Sequence, residues 1–533
     1  ENDRRWSTFD LLSGQVDRDH PMWSYFRWAG IDDSELSWFV DHPCPPDVIG
    51  INHYLSGQRY LDENIERYAN QCCGGNGRDV YADMLAARVL PDGPVEPEQF
   101  ILEAWNRYKL PVAVTECHNG CTREEQLRWF VEVWNGAERA RMQEARVVAV
   151  TAWSLLGAFD WDSLVTQRNL NYESGVFDVR SGEPRPTALA TTITSLAEGR
   201  PLEHPVLEIK GWWRRPERFL YGFYLDDQGT PHTPDHIAHH DSWPSTRPVL
   251  ITGGRGTLAR AFTRICQLRG IPFRALTRTQ LDVADPTSIR HAISSIQPWA
   301  IINAAGYVRV DDAQSRFEEC FRENTEGPRL LADECARKGI QFLTFSSDLV
   351  FDGLKKEPYV ESDTVSPVNQ YGRSKAAAET LVRQLMSTAL IVRTSAFFSP
   401  WDEFNFLVTA LRSLSARELF RAAHDAIVSP TYIPDLVHAC LDLLIDGEHG
   451  LWHVANKGQI SWAALAHETA SLAKIDSDSL ESCELAELRL PATRPRFSVL
   501  TSERAVLLPT LENAMERFVR DCEVDLSAVS FRR

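Results

Sequence analysis

Short apolar runs alternate with amphipathic stretches along most of this 533-residue chain. In the first 200 residues three runs, 47–54, 111–116 and 146–155, read as buried parallel strands. A helical pattern over 123–142 separates the last two, with Thr122 as its N-cap and Glu124 and Glu125 in the first turn. Strands alternating with helices predict a parallel α/β arrangement. Periodicity fades over 201–247 into Pro, His, Trp and Asp, a connector whose aromatics, Trp212 and Trp213 among them, dock on a domain surface. At Pro248 the pattern returns: strand 249–252, a glycine turn, a helix to about Arg269, then strands 272–276, 299–304 and 341–346, with helices near 403–416 and 433–444. The expected division is a barrel-like segment at 1–200, a linker at 201–247, and a doubly wound domain at 248–533 whose smaller lobe comes mainly from 399 onward.

Composition narrows the function. A hydrophobic content of 43% and a charged content of 24% suit a globular chain with sizeable cores. The net charge of −18 argues against a general affinity for nucleic acid or anionic membrane, and leaves room for a local basic pocket. No run reaches the roughly 18 apolar residues that cross a bilayer, and no apolar signal core opens the chain, so a cytoplasmic protein is expected. The 11 cysteines are scattered with no Cys-x-x-Cys, which predicts neither a disulfide framework nor a metal site. Whether Glu1 is the native N-terminus, and whether the chain forms a homo-oligomer, stay open.

Two local patterns carry chemistry. The strand 249–252 runs into Gly253-Gly254-Arg255-Gly256-Thr257-Leu258-Ala259 and then a helix, where backbone N–H groups and a helix dipole meet a pyrophosphate. About 20 residues on, where an acid would hold the ribose of NAD, stands Thr277-Arg278. Arg278, with Arg255, suits the extra phosphate of NADPH; NADH is the alternative. Small residues at Ala304, Ala305 and Gly306 let a cofactor lie against the backbone. The second pattern is Tyr371-Gly372-Arg373-Ser374-Lys375, which puts a phenol and an ammonium on one helix face. A lysine about 4 Å away at an effective dielectric near 20 contributes on the order of 4 kcal/mol, so the Tyr371 pKa is expected to fall by roughly three units.

In the first 200 residues, polar side chains mark the ends of the apolar runs. Gly50-Ile51-Asn52-His53-Tyr54, the segment 114–120 around Glu116, and the segment 153–161 containing Trp153, Asp160 and Trp161 resemble motifs of family 1 glycoside hydrolases. The resemblance implies the last three strands of a (β/α)8 barrel, with Glu116 as nucleophile, Tyr54 as its hydrogen-bond partner, and Asn52, Trp153, Asp160 and Trp161 near the sugar. A retaining glycosidase needs a second carboxylate about 5 Å away, which this family takes from an Asn-Glu motif. The sequence contains no Asn-Glu dipeptide and departs from the pattern at Cys117-His118 and Asp160. The expectation is a partial barrel that is not a working hydrolase in this form.

From 248 to 505 the glycine turn, 303–307 with Val310-Asp311, 346–353, 371–375, 393–395, 429–432 and 453–456 follow in the order of the dTDP-4-dehydrorhamnose reductase family, extended short-chain dehydrogenase/reductases. The resemblance implies reduction of a 4-keto group on a nucleotide-linked deoxysugar. Tyr371 is then the general acid, Lys375 its partner and a ribose ligand, and Ser347 the orienting hydroxyl. Cofactor contacts fall on Gly253, Gly256, Thr257, Leu258, Arg278, Asp282, Val283, Asn303, Ala304, Ala305 and Lys375, and substrate contacts on Tyr307, Val308, Asp348 and Ala396. Where the family has Thr and Trp this chain has Val308 and Ala396, so a different nucleotide sugar is a live alternative. Two competing functions are a glycosidase completed by a segment upstream of Glu1, and a non-catalytic nucleotide-sugar-binding regulatory subunit.

Overall fold

The computed structural model describes residues 2–168, 170–219, 224–225, 231–232 and 246–529. Most of the connector beyond Phe219 lies outside the described residues. The chain forms two compact units, one of Glu1–Cys121, Glu125–Leu155 and Lys210–Ala238, the other of Thr122–Glu124, Leu156–Ile209 and His239–Arg533.

The first unit is built on three parallel strands in the order β1 (Ile49–Tyr54), β2 (Val112–His118), β3 (Val147–Ala152). The central strand runs two residues past its expected end, because Cys117 and His118 are both buried and continue the ladder. Between β1 and β2 the register shifts: Ile51 pairs with Val114 but Asn52 pairs with Glu116, so Thr115 is the extra residue of a bulge. Helix α1 (Pro97–Tyr108) and helix α2 (Arg123–Met142) flank this sheet. On α2, Trp129 is fully buried, stacks on His53 at 5.1 Å and meets the edge of Trp213 at 5.1 Å. Trp213 is thus core, its indole N–H spent on Glu132 at 2.8 Å, as expected of a docked connector aromatic. Three strands are the whole of this parallel sheet among the described residues, so they do not close a barrel.

The second unit carries a six-stranded parallel sheet. In chain order its strands are β4 (Val249–Thr252), β5 (Phe273–Leu276), β6 (Ala300–Asn303), β7 (Gln341–Ser347), β8 (Leu390–Thr394) and β9 (Gly450–His453), and in space they run β5-β4-β6-β7-β8-β9. Every residue of β4, β6 and β8 is buried, as a parallel sheet covered on both faces requires. Leu250, Ile301, Phe342 and Ile391 make the centre of one core, each such side chain stabilising the fold by about 1.5–3 kcal/mol. A second core gathers Phe398, Leu411, Tyr432, Leu465 and Phe518 under the helices Phe406–Ser415, Trp462–Leu472 and Leu511–Val529. The helix expected from residue 403 starts at Phe406, because Asn405 accepts from the Val408 N–H and caps it.

Residues 156–200, expected with the barrel-like segment, and 201–209 of the expected linker pack within the second unit. Arg185 pairs with Asp178, Asp446 and Glu448, and the His204 ring meets the Ile445 carbonyl at 2.9 Å. No described helix is long and apolar enough to cross a membrane. None of the eleven cysteines is in a disulfide, and no group of three or more metal-ligating side chains exists among the described residues.

Candidate active site

Strand order reverses at β4, which has β5 on one side and β6 on the other, so a crevice opens beyond the C-terminal ends of β4 and β6. The glycine turn sits there. Gly253 has φ +70°, and a Cβ on it would lie 2.9 Å from the Ala305 N and Cα atoms. Gly256 then caps helix α3 (Thr257–Arg269), leaving the first-turn N–H groups of Thr257 and Leu258 directed out of the helix start. This backbone cradle fits the pyrophosphate of a dinucleotide, with Ala304 and Ala305 as its wall.

Asn303, where a cofactor contact is expected, also braces the strand ends. Its carboxamide accepts from the Thr252 hydroxyl at 2.8 Å and donates to Thr344 at 3.1 Å, while Thr252 accepts from the Ala305 N–H at 3.2 Å. One lone pair and one N–H of the side chain thereby tie three strand ends together. Val283 is buried and packs against Gly327. Asp282 pairs with Arg322 at 2.7 Å, which holds its carboxyl below the usual range. The exposed Arg278 pairs with Glu323 at 2.6 Å, so a phosphate would compete with that carboxylate.

Helix α4 (Gln370–Leu385) carries Tyr371 and Lys375. Its start is fixed by Asn369, which accepts from the Gly372 N–H at 2.8 Å. Ser347 ends β7, Asp348 begins the following short turn, and the Ser347 hydroxyl accepts from the Leu349 N–H at 3.2 Å. Tyr371, Ser347, Asp348, Val308 and Ala396 all line one cavity of about 490 Å³. Tyr307 does not line it; its backbone is gripped by Asn324, which accepts from the Tyr307 N–H at 2.8 Å and donates to its carbonyl at 3.0 Å.

The expected depression of the Tyr371 pKa is not found. Burial raises it well above the ordinary phenol value, the nearby Asp348 and Cys320 charges add to the rise, and only the Ser347 hydroxyl opposes them. The lysine cannot offset this. Burial lowers the Lys375 pKa to about 8, its Nζ donates to the Phe345 carbonyl at 3.1 Å, and it stands 5.8 Å from the phenol ring centre. Such a Tyr371 is protonated near neutral pH and suited to give a proton rather than take one.

The sequence reading missed several cavity residues. Phe406 and Trp462 meet edge to face at 4.6 Å on one wall, and Arg421, Arg494 and Ser498 line others. Ser498 lies in the Pro495–Leu500 run, and nothing in that run says which strand end it reaches. Asn324 stands in a single π-helical turn, Arg322–Glu326, a local irregularity that often marks a site.

In the first unit, Tyr54 donates to Glu116, and Thr115 donates to Asn52 at 2.8 Å. Trp153 meets Tyr54 at 6.5 Å. Asp160 and Trp161 belong to the second unit, where Asp160 accepts from the Asn171 N–H at 2.9 Å and Trp161 is exposed.

The RmlD substrate binding domain model matches residues 247–522. The spore coat polysaccharide biosynthesis protein SpsK of Bacillus subtilis is 33% identical over 262 residues, 48% of this chain and 90% of that protein. A dTDP-4-dehydrorhamnose reductase of Streptomyces griseus is 33% identical over 268 residues, 49% of this chain and 88% of the relative. Among solved structures, a dTDP-4-dehydrorhamnose reductase ortholog from Clostridium acetobutylicum has a TM-score of 0.50 at 27% identity and covers 53% of this chain and 99% of its own. A strand-end glycine cradle, a Tyr and Lys one helical turn apart, and a match over half the chain agree: the chain belongs to the RmlD substrate binding domain family.

Proposed function

We propose that the second unit catalyses the NADPH-dependent reduction of a 4-keto group on a dTDP-linked deoxysugar, as in dTDP-rhamnose biosynthesis. The observation that carries the reading is that Tyr371 and Ser347 face the same cavity while the glycine cradle lies at the strand-order reversal of the same sheet. Relatives named dTDP-4-dehydrorhamnose reductase and, at 32% identity over 254 residues, dTDP-4-keto-6-deoxy-D-glucose reductase support the substrate class. When bound, the dinucleotide supplies the hydride. Tyr371 gives its proton to the oxygen that becomes the new hydroxyl, and Ser347 orients that oxygen. Lys375, with Nζ close to the Gly306 backbone, reaches the cofactor wall and binds ribose. Gly253, Gly256, Thr257, Leu258, Ala304 and Ala305 hold the pyrophosphate end, Arg278 the extra phosphate, and Val308, Asp348 and Ala396 the sugar side. The test is NADPH oxidation with a dTDP-4-keto-6-deoxysugar. Tyr371→Phe should lower turnover by about 10²–10⁴-fold while NADPH binding persists, and undiminished turnover would overturn the assignment.

For residues 1–155 we favour the C-terminal part of a family 1 glycoside-hydrolase-like barrel, with 156–247 outside it and 248–533 as the reductase. The Tyr54–Glu116 hydrogen bond supports this reading. Aryl-glycoside hydrolysis by this chain, abolished in Glu116→Gln, would replace the remnant reading by a working glycosidase. A cytoplasmic location and assembly into a homo-oligomer belong to the same proposal, checked by cell fractionation and by light scattering on the purified chain.

A further inference from the structure

Asp348 is buried at 6% exposure, and hydroxyls, not a cation, are the side chains that act most on its carboxyl. Its contacts are hydroxyls. Oδ1 lies 3.0 Å from the Ser347 Oγ, and Oδ2 accepts from the Ser498 Oγ at 2.6 Å. Ser498, 2% exposed, is set by backbone bonds on the far side of the cavity, where its N–H donates to the Ile427 carbonyl at 3.0 Å. All three residues line the cavity that Tyr371 faces.

A serine hydroxyl has one proton and two lone pairs. In Ser347 one lone pair is taken by the Leu349 N–H. With Asp348 ionised, the Ser347 proton must point at Oδ1, and the remaining lone pair can only accept, from Tyr371 or not at all. The Ser347 hydroxyl is then turned away from a carbonyl oxygen. With Asp348 protonated, the carboxyl O–H donates to Ser347 Oγ, both lone pairs are filled, and the Ser347 proton is free for the substrate. We propose, resting on the reductase reading, that Asp348 is a positioning residue whose proton decides whether the Ser347 hydroxyl donates to substrate or to the carboxylate.

The surroundings favour the protonated form. Burial raises the Asp348 pKa above the ordinary carboxylate value, against the lowering effect of the Ser498 and Ser347 hydroxyls bonded to it. Tyr371 faces Asp348 from α4, and the two cations that line the cavity already hold carboxylates, Arg494 with Asp311 at 3.1 Å and Arg421 with Glu481 at 2.9 Å. Reduction should therefore slow as pH rises through the Asp348 pKa.

Three measurements test this. The pH profile of kcat/KM for NADPH oxidation with the dTDP-4-keto-6-deoxysugar should fall tenfold per unit above the Asp348 pKa. In Asp348→Asn the amide donates to Ser347 permanently, so the variant, though slowed, should lose that limb. Lys375 can add a limb of its own near pH 8, which Asp348→Asn leaves in place. Ser498→Ala removes a bond that favours the ionised carboxyl and should move the Asp348 limb upward by about one to two units. A limb unchanged in both variants overturns the proposal. Carboxyl ¹³C titration of the chain without substrate should give an Asp348 pKa above the ordinary value near 4, raised further in Ser498→Ala. An ordinary, unshifted titration overturns it. If wild-type chain oxidises no NADPH with the sugar nucleotide, the reductase reading fails, and the carboxyl titration still decides the state of Asp348.

Discussion

Gly372 packs so closely on the turn after β7 that a Cβ at this position would stand 2.0 Å from the Leu349 carbonyl oxygen. That approach is what brings Tyr371, the preceding residue, over Ser347. No side chain can enter without pushing α4 off the turn. Gly372→Ala should lower stability by about 1–3 kcal/mol or more and cut turnover far more than NADPH binding, read by thermal unfolding and by fluorescence titration. Wild-type turnover in this variant would show that the contact does not position the phenol.

Lys375 makes a second prediction, with its sign set by linkage. Its pKa is about 8 in the folded chain, against about 10.4 for a free lysine, so between these values the unfolded state binds more protons. Stability from this group therefore rises with pH from about 8 to about 10.4, as the cost of burying the ammonium is relieved. Lys375→Met should be more stable than wild type at pH 7 and lose much of that advantage by pH 10, a change of up to about 3 kcal/mol in denaturant unfolding.

Arg278 and Glu323 form an exposed pair beside the expected site of the extra phosphate. Surface pairs of this kind contribute little stability, so their removal should be read in cofactor choice and not in Tm. Arg278→Ala should raise the KM for NADPH by about tenfold with little change for NADH, and Glu323→Gln should lower the KM for NADPH several-fold. Equal effects on both cofactors would remove Arg278 from the phosphate site.

In the first unit, Trp213 fills the space beside Trp129 and bonds Glu132. Trp213→Ala should cost about 3–5 kcal/mol in the unfolding of that unit, whereas Trp212→Ala, at a partly exposed ring, should cost less. Equal losses would place the two rings in equivalent surroundings.

Much of this molecule follows from local pattern. Buried runs such as 249–252 and 299–304 suit a parallel sheet covered on both faces, and Gly253-Gly254-Arg255-Gly256 after a strand has few uses other than a turn into a helix. Tyr371 and Lys375 share a helix face by periodicity alone. Other features required contacts between distant parts of the chain. Asn303 reads by position as a cofactor ligand, but its bonds to Thr252 and Thr344, 51 and 41 residues away, follow from no local pattern. The Tyr371 pKa was expected to fall because spacing supplies a lysine; it rises because spacing says nothing of burial, of Asp348 nearby, or of the Phe345 carbonyl that occupies Lys375. Ser498 reaches Asp348 across 150 residues, a pairing no local pattern encodes. The sequence by itself determined four strands of the sheet, the glycine cradle and the placing of Tyr371, the expected proton donor, on one helix face with Lys375, since each depends on neighbours within a few residues. Only the tertiary structure decided the protonation and direction of the hydroxyls around that donor, because burial and long-range hydrogen bonds set them.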